Sequence, residues 1–184
     1  EPATGRDLGC RVWRLPLGHR RAGPARYCLE YGAFFLAVAA IVGPAQLRRR
    51  YHVVQVNTMP DALVFAAAPA RAAGARLLLD LHEVMPELYV SKFGGPLDAP
   101  APRLLGVLER SAVRFAHAAV AVSEPCLERH VSRGADRSRF TVVMNSADPA
   151  LFAPSPSPTA PPPSDGGLLV VSHGTLLARY GFDL

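Results

Sequence analysis

The sequence predicts an α/β fold built on a doubly wound parallel sheet, and three observations predict it. Short, near-continuous apolar runs recur along the chain: VVQV at Val53–Val56, RLLLDL at Arg76–Leu81, AAVAV at Ala118–Val122 and FTVVM at Phe140–Met144. Runs of this kind read as strands buried on both faces. Segments of helical pattern separate them, with Gly74 and Gly134 as stop signals. Such alternation with right-handed crossovers gives a Rossmann-like sheet. The third observation is LLLDLHEVMPELY at Leu77–Tyr89, where an apolar run ends in Asp80 and is followed at once by His82, Glu83, Pro86 and Glu87. It delivers ionisable groups to the carboxyl end of a strand, which is where open parallel sheets bind ligands.

The elements are expected in this order. Arg11–Leu17 alternates apolar and basic residues and reads as a short strand ending near Pro16, followed by a basic loop at Gly18–Arg26. A helical pattern starts at Tyr27, is uncharged over Tyr31–Leu47, and meets a stop signal at Gly43-Pro44. Arginines flank it at Arg26 and Arg48–Arg50. Packing on a sheet is one reading of this helix and contact with a membrane is the other; a spanning helix needs about 20 apolar residues and Pro44 interrupts this one, so such contact would be peripheral. After Val53–Val56 come a loop at Asn57–Asp61 and a helix over Ala62–Ala73. The strand Arg76–Leu81 leads into a Pro- and Gly-rich loop at Glu83–Pro102 and a helix over Arg103–Ala116. Ala118–Val122 is followed by the loop Ser123–Pro125, a helix over Cys126–Ser132 and the strand that ends at Asn145. Pro154–Gly167 (PSPSPTAPPPSDGG) has no core-forming residues and reads as a linker. Leu168–Val171 then opens a new strand. The expected division is a domain over 1–153, a linker over 154–167, and the start of a second domain over 168–184. On this reading the chain is a fragment, incomplete at both ends.

Composition narrows the classes. Hydrophobic residues make up 49% of the 184 and charged ones 19%, which excludes wholesale disorder. The formal net charge of +5 favours anionic partners such as phosphates or a membrane surface. Cys10, Cys28 and Cys126 are scattered and odd in number. They point to a reducing compartment, with neither a disulfide framework nor a zinc site.

Several chemistries lack their residues. His82-Glu83 could begin an HExxH site, but Pro86 stands where the second histidine belongs and opposes the required helix. The sole lysine, Lys92, follows Ser91, so there is no Walker A loop. No GxGxxG follows a strand and no GxSxG elbow occurs. The six histidines are dispersed, so no metal and no cofactor is expected. Nucleic acid is not an expected partner, because the arginines lack interleaved aromatics and no recognition motif is present.

With strand ends reading NTMPD, DLHEVMPE, VSEP and MNSADPALF, and with SHGTLLARYG near its end, the chain resembles the amino-terminal domain of family 4 glycosyltransferases. The resemblance runs from about Arg11 to Phe182. It implies half of a GT-B fold, followed by the opening strand and loop of a nucleotide-sugar domain. It also implies transfer of a sugar from a nucleotide-sugar donor to a glycan or lipid-linked acceptor, with retention of configuration, on the cytoplasmic side of the plasma membrane in polysaccharide or glycolipid assembly.

His82 matches the family's active-site histidine, where it would hydrogen-bond the donor sugar or phosphate near the reacting centre. The resemblance places Asn57, Thr58 and Asp61 toward acceptor hydroxyls, with Glu83 and Glu87 as further acceptor contacts. Many relatives carry histidine where Asn57 stands. Ser123, Asn145, Gly174, Thr175 and Arg179 fall on the donor side. Helix capping explains Ser123 nearly as well, turn formation explains Asn145 and Asp148, and a solvated surface position is the alternative for Arg179. The family's glycine-rich loop would lie upstream and its paired glutamates downstream of Leu184, so this segment alone is not expected to catalyse transfer. Two other readings stand beside this one: a GT-B epimerase or phosphorylase, and a non-catalytic membrane-surface or protein-interaction module.

Overall fold

The computed structural model describes residues 4–7, 10–16 and 24–152. The chain divides into two units, Glu1–Met144 and Asn145–Leu184. In the first, strands β1 (Thr4–Asp7) and β2 (Cys10–Trp13) form an antiparallel pair. Helix α1 (Pro24–Arg49) leads into β3 (Val53–Asn57), a 3-10 segment at Asp61–Ala67, α2 (Ala68–Ala72) and β4 (Arg76–Leu81). Next come α3 (Met85–Phe93), α4 (Pro100–Phe115), β5 (Ala118–Ala121), α5 (Glu124–Ser132) and β6 (Phe140–Val142).

Strands β3 to β6 make a parallel sheet in the order β3-β4-β5-β6. The α/β class and the parallel sheet are as the sequence predicts, and β4 has the predicted bounds. Burial is one-sided. Leu77, Leu79 and Leu81 of β4 are buried, with Val56, Ala119 and Ala121 beside them, whereas Leu78, Asp80 and Val120 are only partly covered. Strand order that equals chain order adds each strand in the same direction, so right-handed crossovers bring their helices to one face. The buried leucines each contribute roughly 1.5–3 kcal/mol. The core closes against Val64 and Ala67 from the 3-10 segment, Ala112 and Val113 from α4, and Ala116 just beyond its end.

Four predicted elements differ from those observed, the first being the helix expected over Ala62–Ala73, which is a 3-10 segment over Asp61–Ala67 followed by the short α2. The strand expected at Arg11–Leu17 is β2, and it pairs with β1 rather than joining the parallel sheet. Helix α1 does not stop at Gly43-Pro44. A Cβ at Gly43 would meet the Pro69 side chain of α2 at 3.6 Å, an ordinary packing distance, so the helix runs past this position in contact with α2. The helix ends instead at Arg50, whose φ of 50° is left-handed. There the buried Gln46 amide donates to the Tyr51 carbonyl at 3.2 Å and accepts the Tyr51 N–H at 3.0 Å. The Pro-rich loop expected over Glu83–Pro102 contains α3, whose proline lies in the first turn. Proline is tolerated there because that N–H has no intrahelical acceptor.

The linker expected at 154–167 and the strand expected at 168–171 lie outside the described residues.

Candidate functional site

The carboxyl ends of β3 and β4 gather the polar residues. Parallel pairing sets Asn57 level with Asp80, and both fall on the less covered face of the sheet. The Gln55 amide reaches from the same face, donating to Asp80 Oδ2 at 2.9 Å and to Asn57 Oδ1 at 3.1 Å. His82 follows one residue beyond β4. Its backbone N–H donates to Thr58 Oγ1 at 3.1 Å, and the Thr58 N–H donates to the Asp80 carbonyl at 2.9 Å. The two strand ends are thereby tied together.

The His82 ring lies with Nε2 3.3 Å from Asp80 Oδ2, and its side chain is 41% exposed against 16% for Asp80. A carboxylate facing Nε2 favours the proton on that nitrogen and leaves Nδ1 for a ligand. Neutral, Nδ1 accepts a hydrogen bond from a hydroxyl. Protonated, it donates to an anionic oxygen. Glu83 is exposed at the same strand end.

Other expected site residues have different surroundings. Asp61 does not share the open end with Asn57 and Thr58. It is 1% exposed, and neither carboxylate oxygen has a hydrogen-bond partner. Burial pushes its pKa up to about 7, with the Glu109 carboxylate pushing the same way and His130 opposing. Glu109 of α4 is itself buried, 3.0 Å from His130 Nδ1 of α5 and 3.4 Å from Arg133 Nη1. Arg133 also pairs with Glu87, so Glu87 helps join α3 to α4 and α5. Ser123 is the N-cap of α5, its Oγ accepting the Cys126 N–H at 3.4 Å.

In the second unit, Asp148 organises a local turn. Its Oδ1 accepts from Ala150 N at 2.9 Å, and its carbonyl accepts from Leu151 and Phe152. Asn145 lies in the same extended stretch outside any helix or strand. Gly174, Thr175 and Arg179 lie outside the described residues.

Gln55 is the site member that residue-by-residue reading left out. Its signal is positional: it lies two residues before Asn57 on a strand whose alternate residues form the core. Among the described residues, no three His, Cys, Asp or Glu side chains converge as metal ligands.

Beside this site lies an apolar groove of about 480 Å³ between α1, α3 and α4, floored by the loop that leaves β3.

The glycosyl transferase 4-like domain profile matches residues 1–146. No curated protein matches the chain significantly. Two crystal structures of HepE (Alr3699) from Anabaena, one with UDP-glucose and one with UDP and glucose, align at 22% and 24% identity, each with a TM-score of 0.45. Each alignment covers 65% of this chain and 29% of the HepE chain, so the sequence spans well under half the length of those proteins.

Proposed function

Because the chain belongs to the glycosyl transferase 4-like family, we propose that it is the acceptor-side part of an enzyme that moves a sugar from a nucleotide-sugar donor to a glycan or lipid-linked acceptor, retaining configuration. The observation that supports a site here is the exposed His82 ring, held against Asp80 at the carboxyl end of β4 with Asn57 and Thr58 beside it. These groups can bind hydroxyls and meet developing charge without a protein nucleophile.

In this mechanism Asp80 holds the imidazole by Nε2, and Nδ1 faces the reacting groups. Protonated, Nδ1 stabilises the phosphate oxygens of the departing nucleotide. Neutral, it orients a hydroxyl. Asn57, Thr58 and Glu83 supply further hydrogen bonds to the acceptor. The donor-side roles of Ser123, Asn145, Gly174, Thr175 and Arg179, the domain division at 153 and 167, and a location at the cytoplasmic face of the membrane belong to the same proposal.

The test is His82→Ala in a protein that carries this segment together with a nucleotide-sugar-binding domain. Loss of one such positioned group is expected to lower kcat by about 10²–10³, with an unchanged far-UV spectrum. Turnover equal to the parent would remove His82 from the mechanism.

A further inference from the structure

The groove beside the site is apolar along nearly its whole wall. Phe35 of α1, Met59 of the β3 loop, Leu88 of α3 and Leu105 of α4 line it, and Lys92 stands in the lining with its ammonium 4.2 Å from the centre of the Tyr27 ring. Its volume of about 480 Å³ lies within the range of built small-molecule sites. The apolar surface continues outside it. Helix α1 is long and apolar enough to cross a membrane by length and composition, none of its apolar window is buried, and Leu36 is 68% exposed. Arg48, Arg49 and Arg50 close that helix in exposed positions.

From these features we infer that the groove holds the hydrocarbon chain of a membrane lipid with an anionic head group, Lys92 standing against the head. Charge complementarity selects the head group: Lys92 is the exposed charged side chain of the wall, whereas Asp61, the carboxylate in the same lining, is only 1% exposed. The apolar wall selects the tail. An extended polypeptide would bring backbone N–H and C=O groups against a wall with few partners for them. A hydrocarbon chain carries no such groups and gains about 0.8 kcal/mol for each buried CH₂.

The groove wall is continuous with the candidate site. Thr58, whose hydroxyl accepts from His82, is followed directly by Met59 and Pro60 of the lining. On the transferase reading, which this step rests on, the lipid in the groove is the acceptor and its head group reaches the ends of β3 and β4.

Cys28 reports on occupancy, because it is exposed and lines the groove. With Cys10→Ser and Cys126→Ser, it is the one thiol left. Monomeric lysophosphatidylglycerol is expected to slow its alkylation by a maleimide about tenfold at saturation. Lysophosphatidylcholine, or the variant Lys92→Glu with lysophosphatidylglycerol, is expected to need about tenfold more lipid. Leu105→Asp is expected to abolish protection. Should that variant fail to fold by circular dichroism, the head-group and Lys92 comparisons still decide.

An alkylation rate unmoved by lysophosphatidylglycerol in the folded protein would overturn the inference. Equal protection by both lipids would overturn its anionic part. The transferase reading is scored separately, by transfer from a nucleotide sugar to a soluble sugar acceptor. Failure there leaves the groove result standing, and failure of protection leaves a transferase with a soluble acceptor.

Discussion

Asp61 stands in the protein interior with both carboxylate oxygens unmet and its pKa pushed up to about 7 by burial and by Glu109. The folded pKa lies above the ordinary value of 3.8. The stability it contributes is therefore full below about pH 4 and is lost as pH rises through about 7. Asp61→Asn removes that ionisation. Urea unfolding should show the variant more stable than the parent at pH 8 by roughly 2–4 kcal/mol, with the difference shrinking toward pH 4. Equal pH profiles would mean that Asp61 ionises in the folded protein as it does in the unfolded chain. His117 shifts the other way. Its pKa is lowered by desolvation first and then by Arg71, Arg76 and Arg139, while its Nδ1 accepts the Leu77 N–H at 2.9 Å. The neutral ring is thus the one that fits the native hydrogen bond.

Among the elements, α1 shows how an ending is decided by contact rather than by breaker residues. Gly43 and Pro44 carry the local stop signal, yet the helix continues to Arg49 and is closed by the Gln46 amide on the Tyr51 backbone. Gln46→Ala removes two hydrogen bonds from a buried position. It should cost about 1–3 kcal/mol by urea unfolding and speed amide exchange at Tyr51. An unchanged exchange rate there would assign the ending to the left-handed Arg50 alone. Helix α3 teaches the converse. The prolines and glycines of this stretch predict a loop and Pro86 argues against a helix, yet a short helix begins at Met85 with Pro86 in its first turn and Glu87 held by Arg133 from beyond α5.

At the scale of the whole first unit, a single apolar layer supports both functional surfaces. The buried face of β4 carries Leu77, Leu79 and Leu81, and the opposite face carries Asp80. Leu79→Ala opens a cavity at the centre of that layer. It should lower unfolding free energy by about 2–5 kcal/mol and broaden the His82 ring resonances in NMR spectra, since His82 hangs from the same strand. A loss below about 1 kcal/mol would mean that the helices over β4 collapse into the space.

The sequence by itself determined the α/β class, the strands β3 to β6 within one or two residues, and the position of His82 one residue past a strand end. Those follow from apolar periodicity and chain order, which are local quantities. The polar partners were legible only in part. Asn57, Thr58 and His82 meet because parallel register sets Asn57 opposite Asp80, and register is not written in either strand alone. Asp61 lies only three residues from Thr58, yet the 3-10 segment turns it into the interior beside Glu109 and His130, residues separated from it by tens of positions. Tertiary structure alone decided which carboxylates are buried, which arginine joins three helices, and that α1, α3 and α4 leave an apolar groove between them. The physical reason is the same in each case: burial and pairing depend on contacts distant in sequence, whereas helix and strand patterns depend on neighbours.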